Sequence, residues 1–205
     1  MRLFYATNTI AVAAAIALEE AGLAYEPVRV DFASAEQRQP EYLAINSKGR
    51  VPALERQGQI ITEVGAILEL IAALAPSAEL VPTDPLEAAK MRSVMFYLAS
   101  TVHVNHAHKG RGHRWADLED SWADMKAKVP ETMTASTHFI ETECLQGPLV
   151  LGRNLTLADA YLFTICTWLE GDGVSLDTFP KVRAFMAAMN ERDAVKAVRA
   201  KGIMT

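Results

Sequence analysis

The sequence predicts a small α/β domain followed by an all-α domain, on three observations. Residues 1–76 alternate short strand-like runs with helix-forming ones. Pro76, Pro82 and Pro85 then fall within ten residues, with Asp84 between them, in a stretch that cannot continue a helix. Beyond it the apolar periodicity is almost wholly helical.

Leu3–Phe4–Tyr5 reads as a short strand, and the apolar run from Ile10 to Ala21, stopped by Gly22, as a helix. Tyr25 to Phe32 carries β-branched alternation through Val28 and Val30 and predicts a second strand. A polar stretch follows, then Pro40 and a helical turn over Glu41 to Ile45. Val51 to Glu55 and Ile60–Ile61, joined by a turn at Gln57–Gly58, read as a hairpin, and Glu63 to Leu74 as a helix closed by Pro76. The order β-α-β-α-β-β-α matches a thioredoxin-like domain over residues 1–76. Residues 77–85 form the linker, and residues 86–205 the α-helical domain. Helical periodicity there runs from Leu86 to Ala107, Trp115 to Cys144, Leu157 to Glu170, and Pro180 to Lys201 with a break near Asn190. Leu149–Val150–Leu151 is the single strand candidate in this half. Thr156–Leu157–Ala158–Asp159 has the spacing of a capping box ahead of an apolar helix.

With 50% hydrophobic and 22% charged residues, the chain has enough apolar content for sizeable cores without staples. Its net charge of −5 and lack of a basic tract argue against nucleic acid or an anionic membrane surface as partner. No apolar stretch reaches the roughly 18 residues of a membrane span, and Met1 to Tyr5 has none of the grammar of a secretion signal, so a cytoplasmic protein is expected. Cys144 and Cys166 lack C-x-x-C spacing and fall in predicted helices, which makes them buried small hydrophobes rather than a redox pair.

Three segments in order carry a family resemblance. Ile45 to Leu54 (INSKGRVPAL) resembles the N-P-x-G-x-V-P-x-L segment of cytosolic glutathione transferases, with Ser47 in place of the usual proline. Ile61 to Leu68 is similar to their next strand-to-helix turn, and Leu155 to Tyr161 to their helical-domain signature. Leu3–Phe4–Tyr5 and the helix ending Ala17 to Gly22 look closest to the bacterial beta-like branch.

The resemblance implies glutathione as co-substrate, a homodimer, and a cis Val51–Pro52 bond that leaves the Val51 N–H and C=O to pair with the ligand's cysteinyl backbone. Glu63 and Val64 would sit at a helix N-terminus that suits the ligand's γ-glutamyl carboxylate, with the Glu63 side chain on its ammonium. Many relatives place serine where Val64 stands, so only a backbone N–H is left for that contact. Where beta-like members carry a cysteine and a serine, this chain has Ile10 and Ala11, so the polar candidates for activating the thiol are Thr7, Asn8 and Thr9. Asn8 or Thr9 is expected as the thiolate donor, with a plain N-cap role as the alternative. Tyr97 to His103 resembles the helix that brings a histidine towards the glutathione thiol, which gives His103 an inherited role.

The run His103 to Trp115 is rich in histidine and arginine. His103 and His106 share a helical face, but no acidic or cysteine ligand accompanies them, so no metal is expected. A positive, aromatic-edged wall for an anionic or polar co-substrate is the alternative to a solvated helix end. The expected function is conjugation of glutathione to a small electrophile, or reduction of a hydroperoxide. A disulfide reductase without a protein cysteine, and a non-catalytic ligand-binding or interaction protein, are the alternatives.

Overall fold

The computed structural model describes residues 1–205. In chain order, β1 (Arg2–Tyr5), α1 (Ala11–Glu20), β2 (Glu26–Arg29), α2 (Pro40–Ile45), β3 (Ala53–Arg56), β4 (Gln59–Thr62) and α3 (Val64–Leu74) come first. α4 (Pro85–Tyr97), α5 (His103–Arg111), α6 (Glu119–Phe139), α7 (Leu157–Cys166), α8 (Pro180–Asn190) and α9 (Asp193–Ala200) follow. Two compact units result: Met1–Pro82 together with Met189–Thr205, and Thr83–Ala188.

In the first unit the sheet order is β2-β1-β3-β4, with β1 parallel to β2 and the other pairs antiparallel. The edge strand β2 tolerates Pro27 because an edge position needs no second ladder donor. α1 is buried from Ala11 to Leu18, and its alanines let neighbouring elements approach on every side. Gly22, at φ +63°, ends it: its N–H reaches the Glu19 carbonyl and the Leu23 N–H the Leu18 carbonyl, a Schellman closure. A second cluster joins Phe4, Val30, Tyr42 and Ala53, with the Phe4 and Tyr42 rings edge-on at 6.1 Å.

The sequence-based boundary near residues 77–85 lies close to the division at Pro82. The last segment does not stay with the helical part, however. α9 packs on α1, and Arg192 and Lys201 pair with Glu20 and Glu19 on the last turn of α1. That adhesion places residues 189–205 in the first unit rather than in the second.

The second unit is helical. Asp84 caps α4 by accepting from the Leu86 and Glu87 N–H groups, and Pro85 occupies the first helical position. The helix expected from Leu86 to Ala107 is interrupted: Leu98–Val102 is a π-helical stretch, after which α5 begins at His103. A similar stretch, Ile140–Cys144, ends α6. Leu149–Val150–Leu151 forms no strand; Leu149 and Gly152 bridge each other across a tight turn. Its backbone is tied instead to the buried Asp159, whose carboxylate accepts from the Val150 N–H at 2.7 Å, the Thr156 N–H at 2.7 Å and the Thr156 hydroxyl at 2.9 Å. The capping box is thus present, with the Thr156 hydroxyl donating to the carboxylate.

Candidate functional site

Register converges on one end of the sheet. Phe4 near the end of β1 pairs with Ala53 at the start of β3, which pairs with Thr62 at the end of β4. The chain entering β3 (Val51–Pro52), the chain leaving β4 (Glu63–Val64) and the loop leaving β1 (Thr7–Thr9) therefore gather at that end. Both α1 and α3 start there; α3 brings open N–H groups, whereas at α1 the Ala11 N–H meets the Thr9 hydroxyl oxygen at 3.4 Å and the Val12 N–H the Thr9 carbonyl at 3.0 Å.

The approach to β3 is built by polar contacts on one carbonyl. The Arg50 C=O accepts from the Tyr42 hydroxyl and the Asn46 side-chain amide, both at 2.7 Å. Burial pushes the Tyr42 hydroxyl up to about 12, so it remains a donor. Gly49 sits at φ +59°, and a Cβ there would meet the Gln37 carbonyl oxygen at 2.8 Å; no other residue fits. The Val51–Pro52 bond is cis. The ladder begins at Ala53, so the Val51 N–H and C=O lie outside it.

Glu63 precedes α3 with φ +70° and ψ 119°, a conformation that costs a non-glycine residue about 1–3 kcal/mol. The strain turns the chain abruptly from β4 into α3, whose first residue, Val64, is buried. The Glu63 side chain is 71% exposed and pairs with Lys48, whose ammonium also donates to the Thr62 hydroxyl at 2.7 Å. Carboxylate and open amides thus stand side by side at the helix start.

The two expected thiolate donors are engaged inside the protein. The Thr9 hydroxyl gives its one proton to the Ala6 carbonyl at 2.7 Å. Asn8, at φ +60°, donates through its side chain to the Thr205 hydroxyl at 2.8 Å and accepts from the Thr205 N–H at 3.0 Å. Ile10 and Ala11 bring only apolar side chains to the start of α1.

In the second unit, His103 begins α5 with its ring 5.2 Å from that of Trp168. His106, one turn on, stacks on the same indole at 4.2 Å. Its Nδ1 lies 2.6 Å from Oδ2 of Asp172, a carboxylate with no exposed surface. Lys109 reaches the other oxygen at 3.1 Å and also donates to the Gly171 carbonyl. Further along, the His108 and Trp115 rings meet edge-on at 4.6 Å. Cys144 and Cys166 are buried free thiols, and burial pushes Cys144 up to about 11 and Cys166 higher still, so neither is a nucleophile near neutrality.

Comparison with known proteins decides the family. Residues 1–73 match the glutathione S-transferase N-terminal domain model and residues 116–202 the C-terminal domain model. The crystal structure of a glutathione transferase homologue from Sulfitobacter, with bound glutathione, is 58% identical, with a TM-score of 0.98 over 98% of each chain. A maleylacetoacetate isomerase of Pseudomonas aeruginosa is 31% identical over 89% of this chain and 88% of its own. The chain belongs to the glutathione S-transferase family. Another relative of this transferase-family chain, glutathione S-transferase GstA of Escherichia coli O157:H7, is 28% identical over 99% of this chain and all of its own. The thioredoxin-like sheet with its helical partner unit is the glutathione S-transferase fold.

Several contacts of this family member escaped the sequence. Asn46 and Tyr42 belong to a matched segment, but nothing in their spacing shows that both hold the Arg50 carbonyl. Lys48 as the partner of Glu63, Thr205 as the partner of Asn8, and Asp172 as the partner of His106 depend on chain separations of 15, 197 and 66 residues. No local pattern encodes them.

Proposed function

We propose that this protein conjugates the thiol of glutathione to a small electrophile, or reduces a hydroperoxide with it. One observation carries the reading: Val51, outside the ladder, and Glu63, at the open end of α3, converge on one end of the sheet. An extended tripeptide suits that arrangement. Its cysteinyl backbone pairs with the Val51 N–H and C=O as an added edge. Its γ-glutamyl carboxylate takes the first amides of α3, where the helix dipole favours an anion, and its ammonium shares the Glu63 carboxylate with Lys48. Pro52 keeps this backbone out of the protein's own ladder, and Val64 contributes an amide without a hydroxyl.

Thiol activation is assigned to the N-terminus of α1. The thiolate is the nucleophile, and backbone N–H groups with a helix dipole favour the charged form. Asn8 and Thr9, committed to Thr205 and Ala6, shape that terminus rather than donate. His103, beside Trp168, is assigned to the second-substrate half of the reaction. With both cysteines buried, any disulfide reduction uses glutathione sulfur alone.

We also propose a homodimer in the cytoplasm. Leu86 and Phe96 on α4 are 65% and 70% exposed, apolar side chains available to a second copy. No helix is long and apolar enough to cross a membrane. Retention on immobilised glutathione, followed by assay with a general electrophile, a peroxide and a small disulfide, tests the reading. Retention with turnover of the first or second supports it. Turnover of the disulfide alone favours the reductase, and retention without turnover a ligand-binding role.

A further inference from the structure

The segment after α9 reaches the loop that opens α1. The Asn8 N–H donates to the Ile203 carbonyl at 3.1 Å, the Thr205 N–H to Asn8 Oδ1 at 3.0 Å, and Asn8 Nδ2 to the Thr205 hydroxyl at 2.8 Å. Asn8 is thus held through both its main chain and its side chain, in a left-handed conformation that asparagine tolerates and most residues do not. The holding segment is itself anchored. Ile203 and Met204 are buried at 0% and 3% exposure, the Ile203 N–H returns to the Val198 carbonyl at 3.2 Å, and Arg199 donates to the Thr205 carbonyl at 2.8 Å. At the far end of α1, Lys201 and Arg192 pair with Glu19 and Glu20. Residues 192–205 therefore grip α1 at its last turn and its leading loop at the other end.

A clamp meant only to add stability needs just the buried apolar contacts and the two ion pairs. The bonds to Asn8 add something different. They fix the dihedral angles of an exposed residue three positions ahead of Ala11, the first residue of α1, where Thr9 closes the next turn onto Ala6. Aiming backbone amides at a developing anion is geometrically demanding, because displacement by a few tenths of an ångström weakens such a bond. A chain with apolar Ile10 and Ala11 has no side chain there to compensate.

We propose that Ile203–Thr205 is a template for the Thr7–Thr9 loop, and that Asn8 is a positioning residue which, through this template, aims the opening of α1 at Ile10 towards the glutathione sulfur, the Ala11 and Val12 N–H groups being held by Thr9. The inference rests on the glutathione reading given above. In the step concerned, the thiol S–H bond breaks, its proton passes to solvent, and the sulfur keeps the electron pair as thiolate.

The test uses the full chain and three variants. Asn8→Gly keeps the left-handed backbone and removes the side-chain bonds; deletion of Met204–Thr205 removes the partner; Arg192→Gln breaks only the grip at the far end of α1. Thiolate absorbance of bound glutathione against pH, its dissociation constant, and kcat and KM are measured for each. The expected result is that the Asn8 variant and the deletion each raise the bound thiol's pKa by about one unit, lowering kcat roughly tenfold below that pKa, with affinity and KM changed less than about twofold. Combining the two should add nothing further, because both break one contact. Arg192→Gln should lower the melting temperature and leave the thiol pKa alone. If the deletion lowers the melting temperature as Arg192→Gln does and the pKa stays put, the segment is a stability clamp and the proposal is overturned. Should the wild type bind no glutathione, amide hydrogen exchange still decides. Faster exchange at Thr9, Ile10 and Ala11 in the deletion supports the template, and unchanged exchange overturns it.

Discussion

Nδ1 of His106 and Oδ2 of Asp172 lie 2.6 Å apart, with the carboxylate wholly buried and the imidazole partly open to solvent. A carboxylate only accepts, so the neutral imidazole carries its proton on Nδ1 and its lone pair on Nε2. Asp172→Ala should cost about 2–4 kcal/mol in denaturant unfolding, since both His106 and Lys109 lose the acceptor they share. Nitrogen NMR of the imidazole should show the Nδ1–H tautomer in the wild type and a mixture in the variant. Unchanged stability together with an Nε2–H tautomer in the wild type would refute the pairing.

Glu63→Ala should weaken glutathione binding by about 1–2 kcal/mol, read by calorimetry. The side chain is 71% exposed and already paired with Lys48, which keeps the effect below that of a buried charge pair. Val64→Ser, restoring a hydroxyl at the first position of α3, should tighten binding by about 0.5–1.5 kcal/mol if the γ-glutamyl carboxylate lies there. Equal affinities in all three proteins would remove the α3 terminus from the site.

Much of this was legible locally. The turn into α3 at Glu63, the Thr156–Asp159 box and the break at Asn190 follow from short motifs or helix grammar, and the cis Val51–Pro52 bond from the resemblance to the family. The π-helical stretch before His103 was not legible, because Leu98 to Val102 has apolar spacing compatible with an uninterrupted helix. Nor was the fate of Asn8 and Thr9. Their residue types allow donation to a ligand and local capping equally, and only the packing of residues 203–205 pairs Asn8 with Thr205.

Asp159→Ala should destabilise the second unit by about 3 kcal/mol, because three donors lose their acceptor in a buried place. Thr156→Ala should cost less, about 1 kcal/mol, since the Thr156 N–H keeps the carboxylate. Thermal or denaturant unfolding checks the order. Equal costs would show that the hydroxyl, rather than the carboxylate, organises the turn.

Alkaline pH should destabilise the protein. Burial raises Cys144 from 9.0 to about 11 and Tyr42 from 10.0 to about 12. Above the unfolded values the unfolded chain has lost protons that the native state keeps, so unfolding releases protons and stability falls as pH rises. The full contribution is present below about pH 9, and its loss should extend from there to about pH 12. Melting temperature measured across that range should drop steadily, while thiol reagents at neutral pH label neither cysteine until the protein unfolds. Rapid labelling of the native protein would contradict the burial of both.

The central claim, that glutathione lies along Val51 and over the start of α3, is tested most directly by titrating glutathione into the isotopically labelled protein and following backbone amide resonances. Saturable shifts should centre on Val51, Val64 and Gly65, with smaller ones at Ile10 and Ala11. A titration to about 10 mM, well above the roughly millimolar affinity of even a weak specific site, that leaves those amides unmoved would contradict it.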